Sequence, residues 1–170
     1  MAPEQRKPRP SGVPRAAAAG YSGTPLAKKL GLRAATRLYL QAAPRNYSQL
    51  IAPAPADLTT VRRIDARTDL LHLFVTRRAE LGRSLRRART AMRADAVIWV
   101  SWPKKSSRLP SDITEDVIRE LALPLGLVDI KVCAIDATWS GLKLMLRRSE
   151  RSAAADRRAA RGVRGRPARP

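Results

Sequence analysis

One cysteine, one histidine and a 4 % share of aromatic residues are the scarcest features of this 170-residue sequence. The lone Cys133 excludes an internal disulfide and fits a reducing compartment. With His72 as the only imidazole, no zinc site of standard Cys/His spacing can be assembled, so no metal is expected. No apolar run approaches membrane-spanning length, and the N-terminus lacks the apolar stretch of a secretion signal. The chain is therefore expected to be cytoplasmic, with no membrane partner. Acidic residues are also scarce, 14 Asp and Glu against 34 Lys and Arg, leaving a net charge of +20.

That excess is uneven. Residues 1–20 carry +3, and 147–170 carry nine Arg against Glu150 and Asp156, so the ends hold half the net charge. Charge-dense, aromatic-free segments cannot bury enough surface to fold alone, so 1–20 and 149–170 are expected to be disordered tails. Residues 21–148 are expected to form one α/β domain, long enough to bury a core without staples.

Within the domain, hydrophobic periodicity switches between strand-like and helix-like. Thr24-Pro25 opens a short helix closed by Gly31, with Thr24 as N-cap. Arg37–Gln41 reads as a strand, a short helix follows around 46–51, and 58–64 reads as an edge strand. Residues 69–76, D-L-L-H-L-F-V-T, form a near-continuous apolar run of the kind found in a central parallel strand. Helix 77–93 has Leu81, Leu85, Ala88 and Met92 as its apolar stripe, with seven arginines on the other faces. Val97 onward reads V-I-W-V-S-W and then breaks into Pro103, Lys104, Lys105, Ser106 and Ser107. Asp112 and Glu115 resemble a capping box at the start of a helix that ends at Pro124-Gly126. Residues 128–135 make a buried strand, and Trp139-Ser140-Gly141 turns into a last strand at 142–146, antiparallel to it.

Alternating strands and amphipathic helices indicate a three-layer, mostly parallel sheet with a terminal antiparallel hairpin. This reduced Rossmann-like order is similar to the class I methyltransferase architecture in shortened form. The turn after the first strand, Ala42-Ala43-Pro44-Arg45-Asn46, has no glycine. The backbone therefore cannot approach a pyrophosphate closely, and no cofactor, adenosylmethionine included, is expected.

Across 21–148 the chain also resembles a bacterial, largely actinobacterial family defined only as a domain of unknown function. The residues carrying the resemblance are Y-S-G-T-P-L-A-K-K-L-G, D-L-L-H-L-F-V-T, W-V-S-W-P-K-K-S-S, D-I-T-E-D-V-I-R-E and W-S-G-L-K-L. The resemblance implies a shared fold and brings no activity, cofactor or partner.

Open α/β sheets place ligands beyond the C-terminal ends of their strands. Trp102, Lys104, Lys105, Ser106 and Ser107 then read as an anion pocket: two ammonium groups, two hydroxyls and an aromatic wall. The structural reading is a solvated loop pairing with Asp112 or Glu115. Asp136 and Trp139 could add an acceptor and a second wall, or cap a turn and plug the core. Asn46 and Tyr47 could complete the edge. His72 sits mid-strand and reads as a hydrogen-bonded core residue, and Cys133 reads as packing. An anionic small molecule or a partner at this edge is the first expectation, without a complete catalytic motif. One alternative is an enzyme using Lys104 or Lys105 as electrostatic stabiliser and Asp136 as base. Another is a nucleic-acid or polyanion accessory protein working through helix 77–93 and the C-terminal tail.

Overall fold

A computed structural model describes residues 23–153. The elements are α1 (Leu26–Leu30), β1 (Arg37–Gln41), α2 (Tyr47–Leu50), β2 (Thr59–Val61), β3 (Leu70–Phe74), α3 (Arg78–Ala91), β4 (Val97–Pro103), α4 (Glu115–Ala122), β5 (Leu127–Ala134) and β6 (Trp139–Leu146). Short 3-10 turns at Lys105–Ser107 and Leu123–Leu125 flank α4. The six strands form one sheet in the order β2-β1-β3-β4-β6-β5. β2, β1, β3 and β4 are parallel, and β6 runs antiparallel to both β4 and β5. The expected three-layer, mostly parallel sheet with an antiparallel strand pair is the observed one.

Period-two alternation sends each strand's side chains to two different layers. Leu71, Leu73, Ile98, Val100, Leu142 and Leu144 meet Leu81, Leu85 and Ala88 of α3 and Ile118 and Ala122 of α4. Leu38, Leu70, Phe74 and Trp99 meet Leu26, Ala27 and Leu30 of α1 and Tyr47 of α2 on the other side. All five β3 residues are buried, as a central strand covered on both faces requires. The indole of Trp99 donates Nε1–H to the Leu30 carbonyl at 2.9 Å, fastening α1 to the sheet.

Several local expectations are corrected. Thr24 does not cap α1: Pro25 is the N-cap residue, and no side chain bonds there. Gly31 does close the helix, in the left-handed region at φ 82°. Asp112 does not cap α4. Thr114 does, its hydroxyl accepting from Val117 N–H at 3.2 Å, while Asp112 reaches back across the fold to accept from Arg78 N–H at 2.5 Å. Asp112 thereby caps α3, whose own N-cap position is Arg77, a residue with no capping side chain.

Trp139 is not in a turn but opens β6, paired with Pro103. β6 does not extend the sheet: it inserts between β4 and β5, leaving β5 at the edge with Ile130 and Val132 about half exposed. The expected buried strand at 128–135 is therefore an edge strand, with a bulge between Asp129 and Lys131. The segment 148–153, expected to be tail from residue 149, is helical, and Glu150 pairs with Arg89 at 3.0 Å. The remaining tail expectations lie outside the described residues.

Candidate functional site

Strand order reverses at β1 and β3: the chain leaves β1 for β2 on one side and returns to β3 on the other. At such a switch point, helices lie on opposite faces of adjacent strands and a crevice opens at the C-terminal ends. Here α2 follows β1 on one face and α3 follows β3 on the other. The crevice on the α3 side is a cavity of about 450 Å³ lined by Tyr39, Gln41, Glu80, Arg83, Ser84 and Arg87. Gln41, the last residue of β1, donates Nε2–H to Glu80 Oε1 at 3.1 Å and accepts from the Ser84 hydroxyl at 2.9 Å. Arg87 donates to the Tyr39 hydroxyl, and its guanidinium carbon stands 5.4 Å from the Tyr39 ring centroid. Arg83, one turn before Arg87 on α3, has no hydrogen-bond or ion-pair partner among the described residues. The cavity thus presents two guanidinium groups against one carboxylate, and that carboxylate is held by an amide.

The sequence-derived candidates are distributed differently. Trp102 packs against the core on the α3 and α4 side, whereas Trp139 packs on the α1 and α2 side, edge-on to Phe74 at 5.1 Å. The two indoles therefore lie on opposite faces and do not form two walls of one pocket. Lys104 donates Nζ–H to the Asp136 carbonyl at 2.6 Å, and its amide donates to the Thr138 carbonyl at 2.8 Å. Asp136 Oδ1 accepts from both Thr138 N–H and Trp139 N–H at 2.7 Å, closing the turn between β5 and β6. Ser107 donates its hydroxyl to the Lys104 carbonyl at 2.7 Å. Lys105 and Ser106 are exposed, as is Asn46. Neither Lys104 nor Lys105 pairs with Asp112 or Glu115. Asp112 caps α3, and Glu115 pairs with Arg119.

Tyr47 and His72 lie deeper. The Tyr47 hydroxyl meets His72 Nδ1 at 2.9 Å, and His72 Nε2 meets Ser101 Oγ at 2.7 Å. His72 also stacks on Phe74 at 4.4 Å. Either neutral tautomer satisfies both bonds, and burial pushes the imidazole pKa down to about 3. Burial also pushes the Tyr47 phenol up. Tyr47 lines a second cavity, of about 560 Å³, with Leu38, Leu40, Pro44, Ile51 and Leu58 among its apolar walls.

Burial pushes the Cys133 thiol up, against the pull of Lys131 and Lys29. Among the described residues, no group of three or more His, Cys, Asp and Glu is arranged to hold a metal ion. No helix among them is long and apolar enough to cross a membrane.

Sequence reasoning missed Tyr39, Gln41, Ser84 and the pairing of Arg83 with Arg87. The i, i+4 spacing of the two arginines was visible, but their meeting with β1 depends on a helix packing across more than forty residues of chain.

No family model matches the chain, and no curated protein matches its sequence. Solved structures do match its fold. Magnesium protoporphyrin IX methyltransferase from Synechocystis PCC 6803, solved with bound SAM, aligns at TM-score 0.51 and 11 % identity over 72 % of this chain and 74 % of that one. A SAM-dependent methyltransferase from Aquifex aeolicus aligns at TM-score 0.49 and 12 % identity, covering 71 % and 87 %. Aeropyrum pernix fibrillarin, with natively bound S-adenosyl-L-methionine, aligns at TM-score 0.47 and 14 % identity, covering 71 % and 73 %. The chain has a methyltransferase-like Rossmann fold. Of the two resemblances drawn from the sequence, this is the one that stands.

Proposed function

We propose that this methyltransferase-like domain binds an anionic ligand, carrying phosphate or carboxylate, in the crevice between β1 and α3, and lacks a conventional adenosylmethionine site. The observation that carries the proposal is the pair Arg83 and Arg87 facing a cavity at the switch point of the sheet, with no carboxylate among the described residues bound to either.

Two features support the second half. The turn after β1 begins with Ala42 in the left-handed region at φ 49°, where glycine would be unstrained, and continues through Ala43 and Pro44. Side-chain carbons thus stand where a glycine turn would admit a cofactor's backbone contacts. About 20 residues further on, where an acidic residue would hold a ribose hydroxyl, β2 is followed by Arg62 and Arg63, and the next acid, Asp65, is engaged by the Arg67 amide, the Thr68 hydroxyl and Arg37. The residues present do not fit adenosylmethionine in the usual manner, and no methyl-transfer step is assigned.

The enzymatic alternative through Lys104, Lys105 and Asp136 draws no support from the geometry. Asp136 is engaged by two backbone amides and Lys104 by a carbonyl.

Thermal melting of the full chain with inorganic pyrophosphate tests the proposal. A ligand at about a hundredfold excess over its Kd stabilises by about 2.7 kcal/mol. Pyrophosphate is expected to raise the melting midpoint of the parent chain, and the gain should be largely lost in R83Q/R87Q but kept in K131Q/K143Q. An equal gain in the parent and in R83Q/R87Q would overturn the assignment.

A further inference from the structure

A second cationic surface lies on the α1 side of the sheet at its other end, away from the crevice. Lys131 of β5 and Lys143 of β6 are directly opposite one another in the antiparallel register. Both project to the α1 side: Lys131 Nζ stands 5.7 Å from the Trp99 ring centroid, and Lys143 lines a hollow of about 560 Å³ with Leu30, Gly31 and Arg33. Like charges directly opposite in a ladder destabilise the free protein. Arg33, in the loop after α1, and Lys29, in its last turn, belong to the same group of charges. Burial lowers the Lys143 pKa, and Lys131 and Arg33 lower it further. Lys131 and Lys29 together act on the Cys133 thiol below them.

None of these four side chains has an ion-pair partner among the described residues. The carboxylates lining the hollow, Asp69 and Asp95, are both bound to Arg93, at 2.7 and 2.6 Å. Most others are engaged elsewhere: Glu115, Asp116 and Asp129 by Arg119, Glu120 by Arg78 and Glu150 by Arg89. Residues 1–22 hold four basic groups and one acidic, and residues 154–170 hold six and one, so both segments add to the positive excess rather than balance it. A second copy, at +20, would be repelled.

We propose that this face of β5 and β6, through Lys131, Lys143, Arg33 and Lys29, docks the phosphate backbone of double-stranded nucleic acid. The charge array calls for a polyanion. The choice of duplex rests on the lack of a stacking platform on this face among the described residues: Trp99 beneath Lys131 is fully buried, and no aromatic is among their exposed large apolar side chains. Single-strand binders need exposed aromatics for base stacking, whereas duplex backbone contacts need only cations. Without groups that read base edges, binding is independent of sequence.

The test is fluorescence anisotropy of the full chain with a labelled DNA duplex of about 20 base pairs, from about 50 to about 200 mM salt. Each phosphate contact contributes about −0.9 to the slope of log Kobs against log salt, so K131Q/K143Q should be shallower than the parent by about 1.8. K131R/K143R should keep the parent slope, which separates loss of charge from loss of fold. A slope unchanged in K131Q/K143Q would overturn the proposal. So would an unchanged duplex affinity accompanied by lost binding to phosphatidylserine vesicles.

Discussion

His72 is fully buried, yet it is satisfied on both ring nitrogens by Tyr47 and Ser101. Because its folded pKa lies near 3, below the unfolded value, the unfolded chain takes up a proton first as pH falls. The contribution is fully present above about pH 6.5 and is lost progressively from there down to about pH 3. Between pH 7 and pH 5 the parent should lose about 2 kcal/mol through this group. Urea unfolding at the two pH values checks this. H72Q, less stable at pH 7 from the disturbed bonds, should show a loss smaller by that amount, and an equal loss in both would contradict the assignment. Gly141 makes a second residue-scale prediction. A Cβ there would stand 2.7 Å from Ile135 Cδ1 and 3.3 Å from Trp99 Cε3, so Gly141→Ala forces the buried Ile135 side chain to shift. Overpacking of this kind costs about 1–3 kcal/mol, measurable as a lower denaturation midpoint with an unchanged m-value.

At the scale of elements, the loop after β4 does more than connect. Its residues 111 and 112 fold back over the start of α3, where Ser111 donates its hydroxyl to the Thr76 carbonyl at 3.1 Å and Asp112 accepts from Arg78 N–H. Asp112→Ala should therefore destabilise the protein by about 1 kcal/mol and speed hydrogen exchange at the Arg78 amide, with α4 unaffected. Thr114→Ala should cost about as much and act at the Val117 amide instead. Reversed exchange effects would restore Asp112 to α4. Asp112 and Glu115 have capping-box spacing, but Thr114 stands at the same distance from Val117, and local pattern cannot choose between them. The apolar run of β3 was legible because a strand buried on both faces needs no alternation. The alternating I-K-V-C of β5 was misread as buried because edge position depends on β6 inserting between β4 and β5, which is not a local property.

The whole molecule separates a legible fold from a less legible site. Strand and helix order could be read from periodicity, and the methyltransferase-like layering followed from that order. The candidate edge at Trp102–Ser107 spans the C-terminal end of β4 and the turn after it. However, the adjacency of Trp102 and Pro103 in a pleated strand already dictates that their cross-strand partners, Ser140 and Trp139, face opposite layers. The crevice of Tyr39, Gln41, Arg83 and Arg87 was not legible, because it exists only once α3 is laid across β1. Charge organises the rest: the described residues carry 24 Lys and Arg against 12 Asp and Glu, and most of those acids are engaged by arginine or by backbone amides. Part of the surplus lies at two places, the crevice and the β5–β6 face. The central claim is that the domain keeps a methyltransferase-like fold while taking an anion in place of adenosylmethionine. Amide chemical-shift mapping of the full chain, titrated separately with inorganic pyrophosphate and with adenosylmethionine, tests it most directly. The account predicts that pyrophosphate moves the Tyr39, Gln41 and Ser84 resonances while adenosylmethionine leaves residues 41–46 unmoved. Saturable shifts at 41–46 with adenosylmethionine, and none at Tyr39 or Ser84 with pyrophosphate, would contradict it.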